Sequence, residues 1–139
     1  MSEAHPEPLP LLLRRASRID HETVRKASLK AGMTEAVYLV LLALRGKPEG
    51  ESVGALARAT ALRQPTVSKV VTGLDAAKAA TRRAGPLDLR VSIVTLTPSG
   101  AAWADQAHRT ALAHESRIVG RSPALARPEA RAMLLTALR

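Results

Sequence analysis

The chain has 139 residues, 46% of them apolar but with one Trp, one Tyr and no Phe, so it holds a single domain whose core must come from Ala, Leu and Val, a composition that suits helices. Its 21 Lys and Arg outnumber 12 Asp and Glu for a net charge of +9, which points either to a polyanionic partner, nucleic acid or an anionic membrane surface, or to a basic protein that tolerates its self-repulsion. The absence of cysteine excludes disulfides and thiol chemistry.

Residues 1–8 are rich in Pro and Glu and are expected to form a disordered tail. The five-residue apolar tract after it, LPLLL, is followed rather than preceded by basic residues, so it does not make a signal peptide. No segment approaches the roughly 18 apolar residues of a membrane span. A cytoplasmic protein without a membrane partner is expected. From about Leu9 to Lys30 the stripe Leu12, Ala16, Ile19, Thr23 and Ala27 predicts a helix, which Gly32 ends. Thr34 caps a second helix, EAVYLVLLALRG, apolar almost all round and therefore central. GKPEGES reads as a loop, and Val53 to Leu62 as a short helix with Val53, Leu56, Ala57 and Thr60 inward.

The next helix, within LRQPTVSKVVTGL, has Val67, Val70, Val71 and Leu74 at i, i+3, i+4 and i+7, one buried stripe. Its other side carries Pro65, Ser68, Lys69 and Thr72, with no acid before Asp75. A face meant only for water mixes both signs of charge. Two helices joined by a turn of a few residues, the second with a small, polar and basic outer face, form the helix-turn-helix pattern. Entering a major groove needs a face without bulk or negative charge. Gln64 can read a base edge bidentately, Thr66 and Ser68 can bond bases or phosphates, and Lys69 supplies charge. Arg63, just before the helix, adds charge near its N-terminus, where free N–H groups also favour phosphate.

From Thr81 the period changes. TRRAGPLDLRVSIVTL reads as two extended arms around the tip Ala84-Gly85-Pro86-Leu87, a hairpin that must lean on the helix before it. Arg82, Arg83 and Arg90 place three guanidiniums on this projecting wing, and arginine is the residue that narrow minor grooves attract. Thr97-Pro98 then starts a long helix to about Val119, with Trp103, Ala107, Ala111, His114 and Ile118 at helical spacing. GRSPALARP breaks it, and Pro128 to Arg139 makes a last helix with Met133, Leu134, Leu135 and Leu138.

Together, Leu56-Ala57, QPTVSK (Gln64 to Lys69), Arg82-Arg83, DLR (Asp88 to Arg90) and LTPSG (Leu96 to Gly100) fall in the order and spacing of one family. The stretch Ser52 to Gly100 resembles the MarR family of winged helix-turn-helix regulators. The resemblance implies a mainly helical fold with a small β-hairpin wing, terminal helices that interlock two chains, and a homodimer on a pseudo-palindromic operator in double-stranded DNA. It divides residues 9–139 into a DNA-binding part at about 34–97 and a dimerisation part at about 9–31 and 98–139. It also implies that Asp88 orients Arg90 into the minor groove, that repression is the usual outcome, and that a small-molecule effector can release the DNA. Three departures stand out. Leu89 replaces a usual basic residue, Lys78-Ala79-Ala80 replaces a Gly and two larger apolar residues, and Arg63 takes the place of a Ser or Thr cap.

The chain offers little for other chemistry. His108 and His114 are six apart, off the spacing that puts two ligands on one helix face, and HETVR at His21 lacks a second histidine, so no metal site is expected. No nucleophile motif, phosphate-binding loop or carboxylate pair indicates an enzyme or a cofactor. Tyr38 and Trp103 could line an effector pocket but read first as packing residues. The leading expectation is a dimeric DNA-binding transcription regulator. The competing one is a winged-helix dimer that turns its basic face to an acidic protein.

Overall fold

The computed structural model describes residues 7–121 and 123–138. Of the expected tail, residues 1–6 lie outside the described residues. The helices are α1 (Leu9–Ala31), α2 (Glu35–Leu44), α3 (Val53–Thr60), α4 (Gln64–Ala76), α5 (Pro98–Arg121) and α6 (Pro128–Ala137), and a 3₁₀ turn spans Pro123–Ala126. Strands β1 (Glu51–Ser52), β2 (Ala80–Ala84) and β3 (Ser92–Leu96) form one antiparallel sheet in the order β1-β3-β2. The expected fold, mainly helical with a small winged β element, is the observed one.

Local chemistry sets the boundaries. Gly32, at φ 73°, ends α1 in the left-handed conformation, and its N–H donates to Leu29 O. Thr34 Oγ1 accepts the Val37 N–H at 3.2 Å, and Ser52 Oγ accepts that of Ala55 at 3.0 Å, so α2 and α3 both carry side-chain N-caps. Helix α3 stops at Thr60 rather than Leu62, because Ala61 takes φ 57° and turns the chain toward α4.

The core gathers Val40, Leu41 and Leu44 of α2, Leu56 of α3, Val67, Val70, Val71 and Leu74 of α4, Val94 of β3, and Ala104 and Ala107 of α5. Small residues on α5 let it pack closely against α1 and α2. Trp103, expected on that inward stripe, stands beside it and is 41% exposed. The side chain of Ile118 lies outside the described residues. The expected stripe of α1 is covered only from Thr23 onward, with Ala27 buried, whereas Leu12 and Ile19 are exposed. The first turns of α1 run past the end of the core. Among the described residues no single helix is long and apolar enough to cross a membrane.

Two features of the sheet differ from expectation. Within the expected GKPEGES loop, Glu51 and Ser52 form a third strand, pairing with Val94 and Ile93. A two-residue edge strand is too short to show a period in sequence. The hairpin connection is also longer than a four-residue tip, because it is itself a bonded structure. Gly85 N–H donates to Val91 O at 2.8 Å and Val91 N–H donates to Asp88 O at 3.1 Å, holding residues 85–91 as a closed loop.

The sheet is fastened to α5 through the turn after α4. Thr97 Oγ1 donates to Lys78 O at 2.7 Å and accepts the Gly100 N–H at 3.2 Å, while Thr97 N–H donates to Ala79 O at 2.9 Å. Gly100 sits hard against this turn, since a Cβ there would lie 1.8 Å from Ala79 O. Lys78 adopts φ 59°, so this turn requires the left-handed conformation at a non-glycine residue. Two opposite outcomes follow for chemical denaturation. Gly100→Ala should lower stability by about 1–3 kcal/mol by forcing the backbones apart. Lys78→Gly should raise it by about 1 kcal/mol by relieving the left-handed penalty.

Candidate nucleic-acid interface

Helix α4 owes its orientation to its own apolar stripe. Val67, Val70, Val71 and Leu74 are buried, and that fixes Gln64, Pro65, Lys69 and Thr72 on the exposed side. Thr66 and Ser68 lie at the margin, half-buried. Arg63 occupies the N-cap position in extended conformation with no side-chain cap bond, and Pro65 fills the first turn, where a missing N–H costs nothing. The N–H groups of the first turn and the Arg63 guanidinium therefore share one end of the helix. That end is positive from both sources.

The sequence pair Arg82-Arg83 is split by the pleat, because successive strand residues face opposite sides. Arg82 lies across from Val94 on the face toward α4, and Arg83 lies across from Ile93 on the other. Arg82 Nη2 donates to Ser68 O at 3.2 Å and to Thr72 Oγ1, so the guanidinium bridges the wing to the exposed edge of α4. Thr72 Oγ1 in turn donates to Ser68 O at 2.9 Å, which makes a three-membered polar latch. Arg83 Nη2 donates to Glu49 O at 2.8 Å and ties the other face of the wing to the segment before β1.

Arg90 is placed differently, on the 85–91 loop, with its side chain 92% exposed. Its Nε donates to Asp88 Oδ1 at 3.2 Å, its Nη2 to Oδ2 at 3.4 Å, and its backbone N–H to Oδ1 at 3.0 Å. The guanidinium and then the backbone N–H of Arg90 hold the Asp88 carboxyl below the usual carboxylate range, so it is ionised at neutral pH. A fork-to-fork grip of this kind restricts a long side chain that would otherwise sample many rotamers.

These pieces meet. A cleft of about 370 Å³ lies between the start of α3, α4 and the wing, with Gln64, Ser68, Arg82 and Arg90 on its walls. Gly54 and Ser92 also line it, two residues that sequence reasoning passed over. A Cβ at Gly54 would approach Gln64 Nε2 to 3.3 Å, so the absence of a side chain there leaves Gln64 its room. A lone small residue at the start of a short helix gives no signal of that in sequence. Among the described residues no group of three or more His, Cys, Asp or Glu could hold a metal ion.

Residues 31–90, which span α2, the helix-turn-helix and the wing as far as Arg90, match the sequence model of the MarR family. Over that stretch the chain is similar to the MarR family. Three solved structures share its fold over nearly the whole length. One is BpsR of Bordetella bronchiseptica, whose DNA binding is regulated by 6-hydroxynicotinic acid, at 29% identity and TM-score 0.69, covering 100% of this chain and 96% of that one. Another is Rv2887 of Mycobacterium tuberculosis in complex with p-aminosalicylic acid, at 28% identity and TM-score 0.72, covering 94% and 98%. The third is the transcriptional repressor CouR bound to a 23-mer DNA duplex, at 26% identity and TM-score 0.72, covering 95% and 93%. No curated protein matches the sequence. The matched region and the shared fold are those of DNA-binding transcription regulators, which are not enzymes.

The geometry separates the basic residues by a measurable property. Lys69→Gln should flatten the slope of log K against log salt by about one unit, as one phosphate contact is lost. Arg82→Gln should leave that slope nearly unchanged and reduce the ratio of specific to non-specific affinity, because it frees the wing from α4. A full unit of slope lost in Arg82→Gln would instead place that guanidinium on a phosphate.

Proposed function

We propose that this chain is a MarR-type homodimeric repressor that binds a pseudo-palindromic operator and responds to a small-molecule effector. The observation that carries the DNA-binding geometry is the common cleft of α4 and the wing. Gln64 and Ser68 line it beside Arg90, which Asp88 grips, and Lys69 stands exposed on the same helix, whose acid, Asp75, comes only near its C-terminal end. In this reading Arg63, Gln64, Pro65, Thr66, Ser68, Lys69 and Thr72 face the major groove. Arg90 enters the adjoining minor groove, while Arg82, Arg83 and Asp88 position the wing. The DNA-binding part is about 34–97.

Dimerisation belongs to about 9–31 and 98–139. Leu9, Leu11, Leu12, Leu13 and Ile19 of α1 and Met133, Leu134, Leu135 and Leu138 at the other end of the chain are exposed. Apolar area of that extent on two terminal helices supports burial against a second copy. Symmetric pairing then gives two recognition helices related by a two-fold axis and hence an inverted repeat.

The effector reading rests on BpsR, whose DNA binding 6-hydroxynicotinic acid regulates, on the Rv2887 complex with p-aminosalicylic acid, and on two cavities of about 400 and 420 Å³. Tyr38, whose hydroxyl is pushed up in pKa by burial and by the Asp20 charge, lines the first, and Trp103 lines the second. Both cavities lie where α1, α2 and α5 meet, between the proposed dimer and DNA-binding parts.

Selection from a random duplex library with the purified protein, at about physiological salt, tests the proposal. The expected product is a site of two inverted halves about one helical turn apart, bound by a protein that sediments as a dimer. A monomeric protein, or enrichment of a single half-site, would contradict it.

A further inference from the structure

The 85–91 loop carries two leucines that do nothing for its own structure. Its turn is made by Gly85, Pro86 and Asp88 through the Gly85–Val91 and Val91–Asp88 backbone bonds and the Asp88 carboxylate on Arg90 N–H. Leu87 is nevertheless 100% exposed and Leu89 81% exposed, one on each side of Asp88 in sequence, with Leu89 next to Arg90. A loop that met only water would place polar or small residues at such positions, as turn chemistry prefers.

We propose that Leu87 and Leu89 form an apolar clip that packs on the deoxyribose walls of the minor groove where Arg90 enters it. The inference rests on the DNA-binding geometry proposed above and adds to it a contact that ions do not screen.

Three observations favour sugar as the occupant. First, the leucines share the closed 85–91 loop with Arg90, which lines one cleft with Arg82, Gln64 and Ser68, so a partner that takes these groups comes up against the loop that carries the leucines. Second, the one carboxylate of the loop, Asp88, is engaged by Arg90, which leaves a tip compatible with a polyanion. Third, the loop is closed by its own bonds, so the leucines are displayed before binding and little order has to be gained. Between its phosphates the minor groove presents C–H faces of deoxyribose, which an aliphatic side chain can cover while arginine reaches the floor. Burial of apolar surface stabilises the complex without releasing counterions.

That last property makes the clip testable apart from the rest of the interface. The probe is the duplex selected by the wild-type protein, with affinity measured by fluorescence anisotropy over a range of KCl. L87S/L89S should weaken binding about tenfold at every salt concentration, from partial exposure of two leucines, and leave the salt slope unchanged. R90Q should flatten the slope by about one unit. Calorimetry should show a less negative heat-capacity change for L87S/L89S than for wild type. Both leucines are exposed, so the variant should melt as wild type does. L87A/L89A, with half the polarity change, should show the same pattern at smaller amplitude.

Wild-type affinity in L87S/L89S at all salts would overturn the clip, as would a slope change equal to that of R90Q. A change of oligomeric state with unaltered DNA affinity would also overturn it, assigning the leucines to a second copy of the chain. A wild-type protein that selects no duplex sinks the DNA-binding geometry itself, a result distinct from any of these.

Discussion

The site depends on the burial of one side of α4. Val67 and Val71 are fully inaccessible, and Val70 and Leu74 nearly so, between α2, α3 and the sheet. Rotating the helix by one residue position, about 100°, would expose several of these side chains at roughly 1.5–3 kcal/mol each, more than a small domain can lose. The core thereby fixes the azimuth at which Gln64, Lys69 and Thr72 point away from it. A helix face held by packing is more precise than one held by a loop.

The wing is secured to that helix from two sides. Val94, buried between the helices and the sheet, supplies the apolar half of the attachment, and the Arg82–Thr72–Ser68 latch supplies the polar half at the exposed edge. Arg83, tied to Glu49 O, steadies the opposite face, and the Thr97 hub ties the end of β3 to the turn after α4. Each bond is exposed and individually weak. Together they relate the Arg90 tip to the α4 face by a short path, the relation that the proposed engagement of two grooves of one duplex requires.

Much of this was legible in the sequence because it rests on period and caps. The α4 stripe, the Thr34 cap, the Pro98 start and the two β arms all follow from local patterns that the structure keeps. Lys78 at the family's glycine position left open whether the helix ends there in a left-handed turn or simply continues, and the residue takes φ 59°. What the sequence hid was tertiary. Arg82 and Arg83 look like one basic pair, and only the register with Val94 and Ile93 sends them to opposite faces. The two-residue β1 has no period to detect, and the role of Gly54 depends on where Gln64 comes to lie. Trp103 fitted a helical spacing, yet small residues at Ala104 and Ala107 took the inner position.

Because the chain contains no cysteine, single-cysteine variants can carry an iron-chelate cleavage reagent at one chosen point. Gly73→Cys lies on the exposed side of α4 with no atom within 4 Å of its Cβ position, and Pro86→Cys lies on the exposed wing loop. The most direct test of the central claim is the strand offset of cuts made from each position on the selected duplex. The account predicts the offset of major-groove cleavage from position 73 and that of minor-groove cleavage from position 86, repeated symmetrically in both half-sites. The same groove for both tags, or diffuse cutting from position 73, would contradict it.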